Sequence, residues 1–401
     1  MGAKGTSVVI LGGARTPMCE YGGSFSRLTA NELGGIASKA ALERTGVAPS
    51  EIDHVVMGNA LQTSADAIYG ARHVGLRAGI PVEVPALTVN RLCGSGIQSV
   101  VTAAQGILLG ESRTCLAGGM ENMTQAPHVV RGLRAGLRLG DVPLEDSLLS
   151  ALLDTQCGLM MAQTAEKIAQ ERLIGRREQD EFALRSHRLG AKAVETGLFR
   201  DEIVPVEVKG PKGPVKVSVD EHIKPETTAE ALAALKPSFG KDGTVTAGNA
   251  SGIVDGAAAV VVTAEEEASR RGRKPMGRIV SWAMVGVDPS RMGLGPVGAI
   301  RAALEKAGLR IEQVDRCEII EAFSAQYLAV ERDLALDREK VNVNGGAVAI
   351  GHPLAATGTR LILTLLFELR RVEGRYGVAS ACIGGGQGIA MVVESPAWRA
   401  G

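Results

Sequence analysis

Aromatic residues are scarce: Phe, Trp and Tyr together make up 3% of the 401 residues. A surface that stacks successive bases of single-stranded nucleic acid needs exposed aromatics, so composition speaks against that partner. An excess of charge is also missing. Lys plus Arg number 44 and Asp plus Glu number 44, so no summed field draws the chain to nucleic acid or to an anionic membrane. Any charged ligand must be caught by a local patch. The six cysteines are scattered without a C-x-x-C pair, which argues against a disulfide framework and for a reducing compartment. No uninterrupted apolar stretch reaches bilayer-spanning length. The opening MGAKGTSVVILGG has a short apolar run and no cleavage site of the secretory type. The expectation is a soluble, cytoplasmic chain with no nucleic-acid or membrane partner.

What the chain does have is glycine, 51 residues of it, and a 45% hydrophobic content. Together these suit tight strand–helix turns around a core of Val, Ile, Leu and Ala, as in α/β proteins, and the length allows more than one packed core. SVVILGG reads as a buried strand. NELGGIASKAALERTG has helical spacing and ends at Gly46, and EIDHVVMGNAL gives a short strand. VPALTVNRLCGSG runs from a strand into a turn, followed by the apolar helix GIQSVVTAAQGILLG and the strand-like RTCLAGGMENM. This alternation predicts parallel strands with helical crossovers. From about Thr124 to Ser251 the character changes. MMAQTAEKIAQERL is helical, and EIVPVEVKGPKGPVKVSVDEH predicts two β runs around a Gly-Pro turn. In RGLRAGLRLGD, the spacing puts Arg131, Arg134 and Arg138 on one face of a helix, facing either solvent, a ligand's phosphates or a neighbouring subunit.

The chain also repeats itself. NRLCGSGIQSVVTAAQGILLG followed by RTCLAGGMENM is matched by NVNGGAVAIGHPLAATGTRLILTLLFELRR followed by YGVASACIGGGQG. Both run Asn, Gly-rich turn, reactive residue, apolar helix, strand, Gly cluster. Such a long period excludes a solenoid and predicts a duplicated α/β half, with equivalent loops facing each other across one cleft. The predicted organisation is a first half over 1–122, completed by about 252–273, an inserted loop domain over 123–251, and a second half over 274–401.

Three residues carry chemistry. Cys93 lies where a strand ends and a helix begins, and the partial positive charge of a helix N-terminus favours a thiolate. Most free cysteines are small buried hydrophobes; the flanking Gly94 and Gly96, which let a backbone turn and a substrate approach, favour the reactive reading here. His352 sits at the matching position of the second repeat, between Gly-rich turns and before Pro353. A thiol needs a base that accepts its proton near neutral pH, and imidazole does so. Cys382 opens CIGGGQG at the end of the last core strand, where a second thiol can move a proton and the following glycines can offer N–H groups to an oxyanion. A buried cysteine before a tight turn is the plain alternative. The remaining histidines (His54, His73, His128, His187 and His222) lack such settings.

With these residues in place the chain resembles the thiolase family over essentially its whole length. ARTPMCEYGGSF, NRLCGSG, GNASGIVDGAA, VNVNGGAVAIGHP and CIGGGQG match the family's signatures in order. The resemblance implies a duplicated, five-layered α-β-α-β-α fold with an inserted loop domain that binds coenzyme A, assembled as a dimer or tetramer. It implies ping-pong acyl transfer in either direction, thiolysis of a 3-ketoacyl-CoA or Claisen condensation, with CoA and acyl-CoA as substrates and neither a resident cofactor nor a metal. Cys93 would be the acylated nucleophile, His352 its base, and Cys382 the acid/base of the second half-reaction. The oxyanion sites would be built from the N–H groups of Cys93 and Gly384 and from His352. Ser251 would meet the pantetheine arm, with Met161 and Phe323 near the acyl pocket.

Three positions depart from the family pattern. Ile320 stands where an Asn usually holds a water beside His352, Ala355 replaces a Gly after the His-Pro pair, and Met160 stands where biosynthetic members often have His. All three are expected to make the pocket more apolar and to favour thiolysis of a bulkier chain. Two rival readings remain at this point: a ketosynthase-like condensing enzyme, and a non-catalytic acyl-CoA-binding homologue. GGARTP lacks G-x-G-x-x-G spacing and is no dinucleotide fingerprint.

Overall fold

The computed structural model describes residues 6–210, 212–240 and 242–396. Its framework is one mixed sheet built from β1 (Val8–Arg15), β2 (His54–Gly58), β3 (Ala86–Val89), β4 (Thr114–Glu121), β5 (Val254–Ala264), β6 (Gly277–Gly286), β7 (Arg316–Ile319), β8 (Tyr376–Ile383) and β9 (Gln387–Glu394). The strand order is β7-β8-β9-β6-β1-β5-β4-β2-β3, with Cys19–Glu20 paired to β5 as a short tenth strand. The two halves unfold outward from the β1–β6 seam in the same sequence. Even the counterpart of β3 survives in the second half, as a parallel bridge between Cys317 and Val341. Two residue pairs, Val9–Arg278 and Ile10–Gly277, join the halves.

Helices fill the layers between and outside. α1 (Ala30–Thr45) starts on a capping box between Thr29 and Glu32 and stops at Gly46, whose φ of +64° closes the last turn. With α2 (Gly70–Arg77) it covers the outer face of the first half-sheet. The central layer pairs α3 (Ser95–Leu109) with α8 (Leu354–Arg371), the two repeat helices, and α8 packs against strands of both halves. α6 (Gly295–Ala307) and α7 (Ser324–Leu334) cover the outer face of the second half. Between β4 and β5 the chain adds α4 (Met161–Glu171), α5 (Arg176–Glu195) and three small two-stranded sheets.

Several expectations need correction. The strands are not all parallel: β2 pairs in parallel with β3 and β4, and β7 with β8, but β1–β5, β5–β4, β6–β9 and β8–β9 are antiparallel. The β8–β9 link, Gly384–Gly386, is too short for a parallel crossover, so it forces a hairpin. Leu92–Leu109 has the length and hydropathy to cross a bilayer, contrary to the expectation of no such stretch, but in this fold it is a 3-10 turn leading into the core helix α3. Arg131, Arg134 and Arg138 share no helix face: a 3-10 turn at Leu133–Ala135 lies within an exposed irregular segment, where Gly132, Gly136 and Gly140 adopt positive φ and break helical continuity. The two β runs do form a hairpin, Val206–Gly210 with Gly213–Val217; Pro211 of the expected turn lies outside the described residues.

The centre is held by backbone-to-backbone contact. A Cβ on Gly96 of α3 would stand 2.4 Å from the Thr359 nitrogen, and one on Gly119 of β4 would stand 1.9 Å from the Ala355 carbonyl oxygen. No side chain can yield there, because the obstacle is main chain. Gly119→Ala is therefore expected to lower stability by about 1–3 kcal/mol, read from the urea midpoint; an unchanged midpoint would show that the packing can relax.

Candidate active site

Cys93 sits on a 3-10 turn, Leu92–Gly94, that leads directly into α3. Leu92 adopts φ +46°, a left-handed conformation costly for a branched side chain. The elbow is held by hydrogen bonds on both sides. The Leu92 N–H donates to Asn90 Oδ1 at 2.9 Å, the Arg91 N–H to Ser95 Oγ at 2.8 Å, and the Arg91 guanidinium to Gln98 and Gln387, each at 2.8 Å. Gly94 is required by the neighbour rather than by φ: a Cβ there would lie 2.6 Å from Ile383 Cδ1.

His352 stands at the equivalent elbow of the second half, before α8. Its N–H donates to the Gly252 carbonyl at 2.9 Å, and its Nδ1 shares a 2.6 Å hydrogen bond with Thr357 Oγ1. That contact leaves Nε2 as the free edge of the ring, buried and without a protein partner. Cys382, the penultimate residue of β8, is also buried. Cys93, His352, Cys382 and Gly384 all line one cavity of about 400 Å³, together with Ser251, Met161 and Phe323. The sequence-derived residues are thus brought to one place by six separate segments.

Electrostatically the site is at rest in neutral form. Burial pushes the Cys93 thiol up to about 11, against the opposing pull of the Gly384 N–H and its own N–H, with Glu121 adding repulsion. Burial and the nearby Arg360 guanidinium push His352 down to about 3. Cys382 is raised by burial and by its neighbour Cys93. A helix N-terminus alone does not outweigh desolvation here, so Cys93 is held as a thiol. The N–H groups of Cys93 and Gly384 nonetheless converge on the sulfur, which is the geometry a tetrahedral oxyanion needs close by.

Sequence reasoning missed much of the wall. Met123, Met292, Leu354, Ile253 and Phe239 also line the cavity, and Met160 and Met161 bring its methionines to four. Apolar lining residues carry no pattern that separates them from core residues. Thr357 was legible only as a residue one turn into a helix. The departures behave differently from one another: Met160 lines the cavity, whereas Ile320 and Ala355 do not. Ile320 is fully buried in the central core, its N–H donating to the Ser380 carbonyl at 3.0 Å, so it acts behind the wall and not in it. Among the described residues no cluster of His, Cys, Asp and Glu has the arrangement to hold a metal ion.

A thiol on a strained elbow, a buried imidazole with one free nitrogen, a second thiol and two converging N–H groups define a site suited to covalent acyl transfer. Residues 8–266 match the family model "Thiolase, N-terminal domain" and residues 273–395 match "Thiolase, C-terminal domain". The chain belongs to the thiolase family. It is 52% identical to the mitochondrial 3-ketoacyl-CoA thiolase of Homo sapiens over 391 residues, 97% of this chain and 98% of that one. It is 47% identical to the acetyl-CoA acetyltransferase of Shinella zoogloeoides over 391 residues, 97% of this chain and 99% of that one. The crystal structure of human mitochondrial 3-ketoacyl-CoA thiolase in complex with CoA superposes with a TM-score of 0.95 at 52% identity, covering 97% of this chain and 98% of that one. These similarities correct the cytoplasmic expectation, because the 52%-identical human relative is named as mitochondrial. Scattered free thiols mark a reducing environment without saying which compartment provides it.

The two shifted groups give a test. Because the Cys93 thiol lies near 11 and His352 near 3, both are neutral at pH 7. Alkylation of Cys93 by iodoacetamide in the ligand-free protein is expected to rise about tenfold per pH unit between pH 7 and 10. A plateau below pH 8 would show instead a preformed thiolate–imidazolium pair.

Proposed function

We propose that this chain is an acetyl-CoA C-acyltransferase that cleaves 3-ketoacyl-CoA thioesters with CoA, and runs the reverse condensation, through an acyl-Cys93 intermediate. The observation that carries the proposal is the meeting of Cys93, His352 and Cys382 in one apolar cavity. His352 Nε2 takes the Cys93 proton as the sulfur attacks the 3-keto carbon, and the resulting oxyanion is held by the N–H groups of Cys93 and Gly384. Collapse breaks the bond between carbons 2 and 3. The electrons pass to the departing acetyl-CoA enolate, which hydrogen-bonds His352 Nε2–H and takes a proton from Cys382. The Cys382 thiolate then deprotonates an incoming CoA thiol. Its sulfur attacks the acyl group and releases Cys93, which recovers its proton from His352. With substrate in place the neutral resting pair is an advantage, since an unshielded thiolate forms only as it is consumed.

The wall supports a reading of the chain class. Four methionines, Phe323, Phe239 and Leu354 line the space beyond the reactive carbons, and flexible thioether side chains adapt to acyl chains of different shape. This supports a degradative role in fatty acid metabolism, on chains longer than acetoacetyl-CoA. Ser251 also lines the cavity, which supports a contact with the pantetheine arm, and the segment 123–251 supplies Leu152–Thr155 and Phe239 to the same wall. Self-association is supported by the outer edge of β3. Leu87 on that strand, and Ile68, Tyr69 and Val82 close by in the chain, are exposed, an arrangement suited to a dimer, while Leu133, Leu137 and Leu139 offer a second apolar surface for a tetramer. The condensing-enzyme and non-catalytic readings lose ground because the thiol–imidazole–thiol set is intact and convergent.

The deciding experiment is CoA-dependent thiolysis across 3-ketoacyl-CoAs, from acetoacetyl-CoA to long and branched chains, with Cys93→Ala as control. Turnover greater on longer straight chains, and lost in the control, is the expected result. A preference for acetoacetyl-CoA would remove the chain-length reading, and an active Cys93→Ala protein would remove the mechanism.

A further inference from the structure

Glu121, the last residue of β4, is fully buried, and among the described residues no Lys or Arg is bonded to it. Four N–H donors converge on its carboxylate instead. Oε1 accepts from Asn59 Nδ2 at 2.8 Å and from the Leu61 N–H at 3.0 Å; Oε2 accepts from the Ala60 N–H at 3.1 Å and from the Ala355 N–H at 3.2 Å. An ionised carboxylate offers about four lone-pair sites, and all are used. A protonated one would place an O–H against a ring of donors with no acceptor to receive it. The geometry therefore holds Glu121 as an anion, although burial and the neighbouring Asp255 push it up to about 7.

The donors come from two places that matter. Ala355 lies in the first turn of α8, three residues after His352, and α8 has no side-chain cap of its own. Glu121 therefore caps, from a different strand, the helix that carries the base, where the dipole favours an anion. Two residues earlier on the same face of β4, Gly119 meets the Ala355 carbonyl in the close contact described above. Ala60 and Leu61, the other backbone donors, pack with Leu354 and Cys93 in a small apolar cluster on the cavity side.

We propose that Glu121 is a positioning residue for acyl transfer: its carboxylate clasps the 59–61 loop to the start of α8 and so fixes Cys93 against His352. The inference rests on the thiolase reading for its turnover measurement, but its second readout does not. Loss of a carboxylate kept for stability alone would lower the melting point and leave kcat of the folded protein unchanged. Loss of a clasp must also lower kcat in the folded variant, and removal of the anion relieves its repulsion of the Cys93 thiolate. The titratable groups facing the pair are Asp255, Cys93 and, across the cavity, His352 and Cys382.

The test uses Glu121→Gln and Glu121→Asp in the full-length protein. The amide of Glu121→Gln turns an NH₂ toward two donors, and the shorter Glu121→Asp cannot reach all four. For Glu121→Gln, kcat is expected to fall about 10²-fold, as for a small misplacement of reacting groups, with KM for CoA little changed. The iodoacetamide profile of Cys93, followed on its own peptide by mass spectrometry, should move to lower pH once the anion is removed. A wild-type kcat together with an unmoved alkylation profile would overturn the proposal. If Glu121→Gln does not fold, Glu121→Asp decides: a reduced kcat at unchanged KM supports the clasp, and a wild-type kcat refutes it. Failure of the thiolase reading would show separately, as an inactive wild type whose Cys93 profile still responds to Glu121→Gln.

Discussion

The structure depends on how closely its two repeat helices approach. Glycines at 96, 119 and 358 let the main chain of α3, β4 and α8 meet where side chains would hold them apart. Each helix begins at an elbow, and each elbow carries a reactive residue. Once the helices lie together, Cys93 and His352 are placed by the same contact that builds the core. Packing and chemistry are therefore one problem in this fold. The dense central layer is what allows a loop residue to be held with the precision of a core residue.

The same burial sets the electrostatics. The apolar surroundings penalise both ionised sulfur and imidazolium, and Cys93 and His352 are held as neutral partners. The N–H groups of Cys93 and Gly384 point at the sulfur and are fixed by the backbone, so negative charge developing there would meet no reorganisation cost. Arg360 adds to this. It is buried on α8 beside Glu318, at 2.9 Å, and its charge disfavours protonated His352. The Arg360 cation thus reaches the His352 imidazole through a low-dielectric interior, where charge acts over longer distances than at a surface.

Much of this was legible in the sequence, for physical reasons that differ by residue. Cys93, His352 and Cys382 stood out because glycines surround them, and glycine is retained where backbone must bend or approach closely. The duplication was legible because both halves solve the same turn. The direction of the strands was not, since a buried apolar run looks alike in parallel and antiparallel pairing, and the deciding feature is the length of the link between β8 and β9. The arginine segment failed because three glycines at positive φ interrupt its helical spacing. Met123, Met292 and Leu354 were invisible as lining because an apolar side chain facing a cavity and one facing the core obey the same pattern. Ile320 was placed in the pocket by analogy, yet its neighbours put it behind the wall.

The two elbows also differ in a way their common origin does not require. The residue before His352 is Gly351, at φ +95°, and the residue before Cys93 is Leu92, at φ +46°. Glycine meets such a bend at no steric cost, whereas leucine spends about 1 kcal/mol or more to adopt it. Relief of that strain was one substitution away, and the other repeat shows the form it takes. Leu92 instead lends its side chain to the cavity wall beside the sulfur. The two matching elbows are thus an unstrained one before His352 and a sprung one before Cys93, with the tension on the side of the thiol.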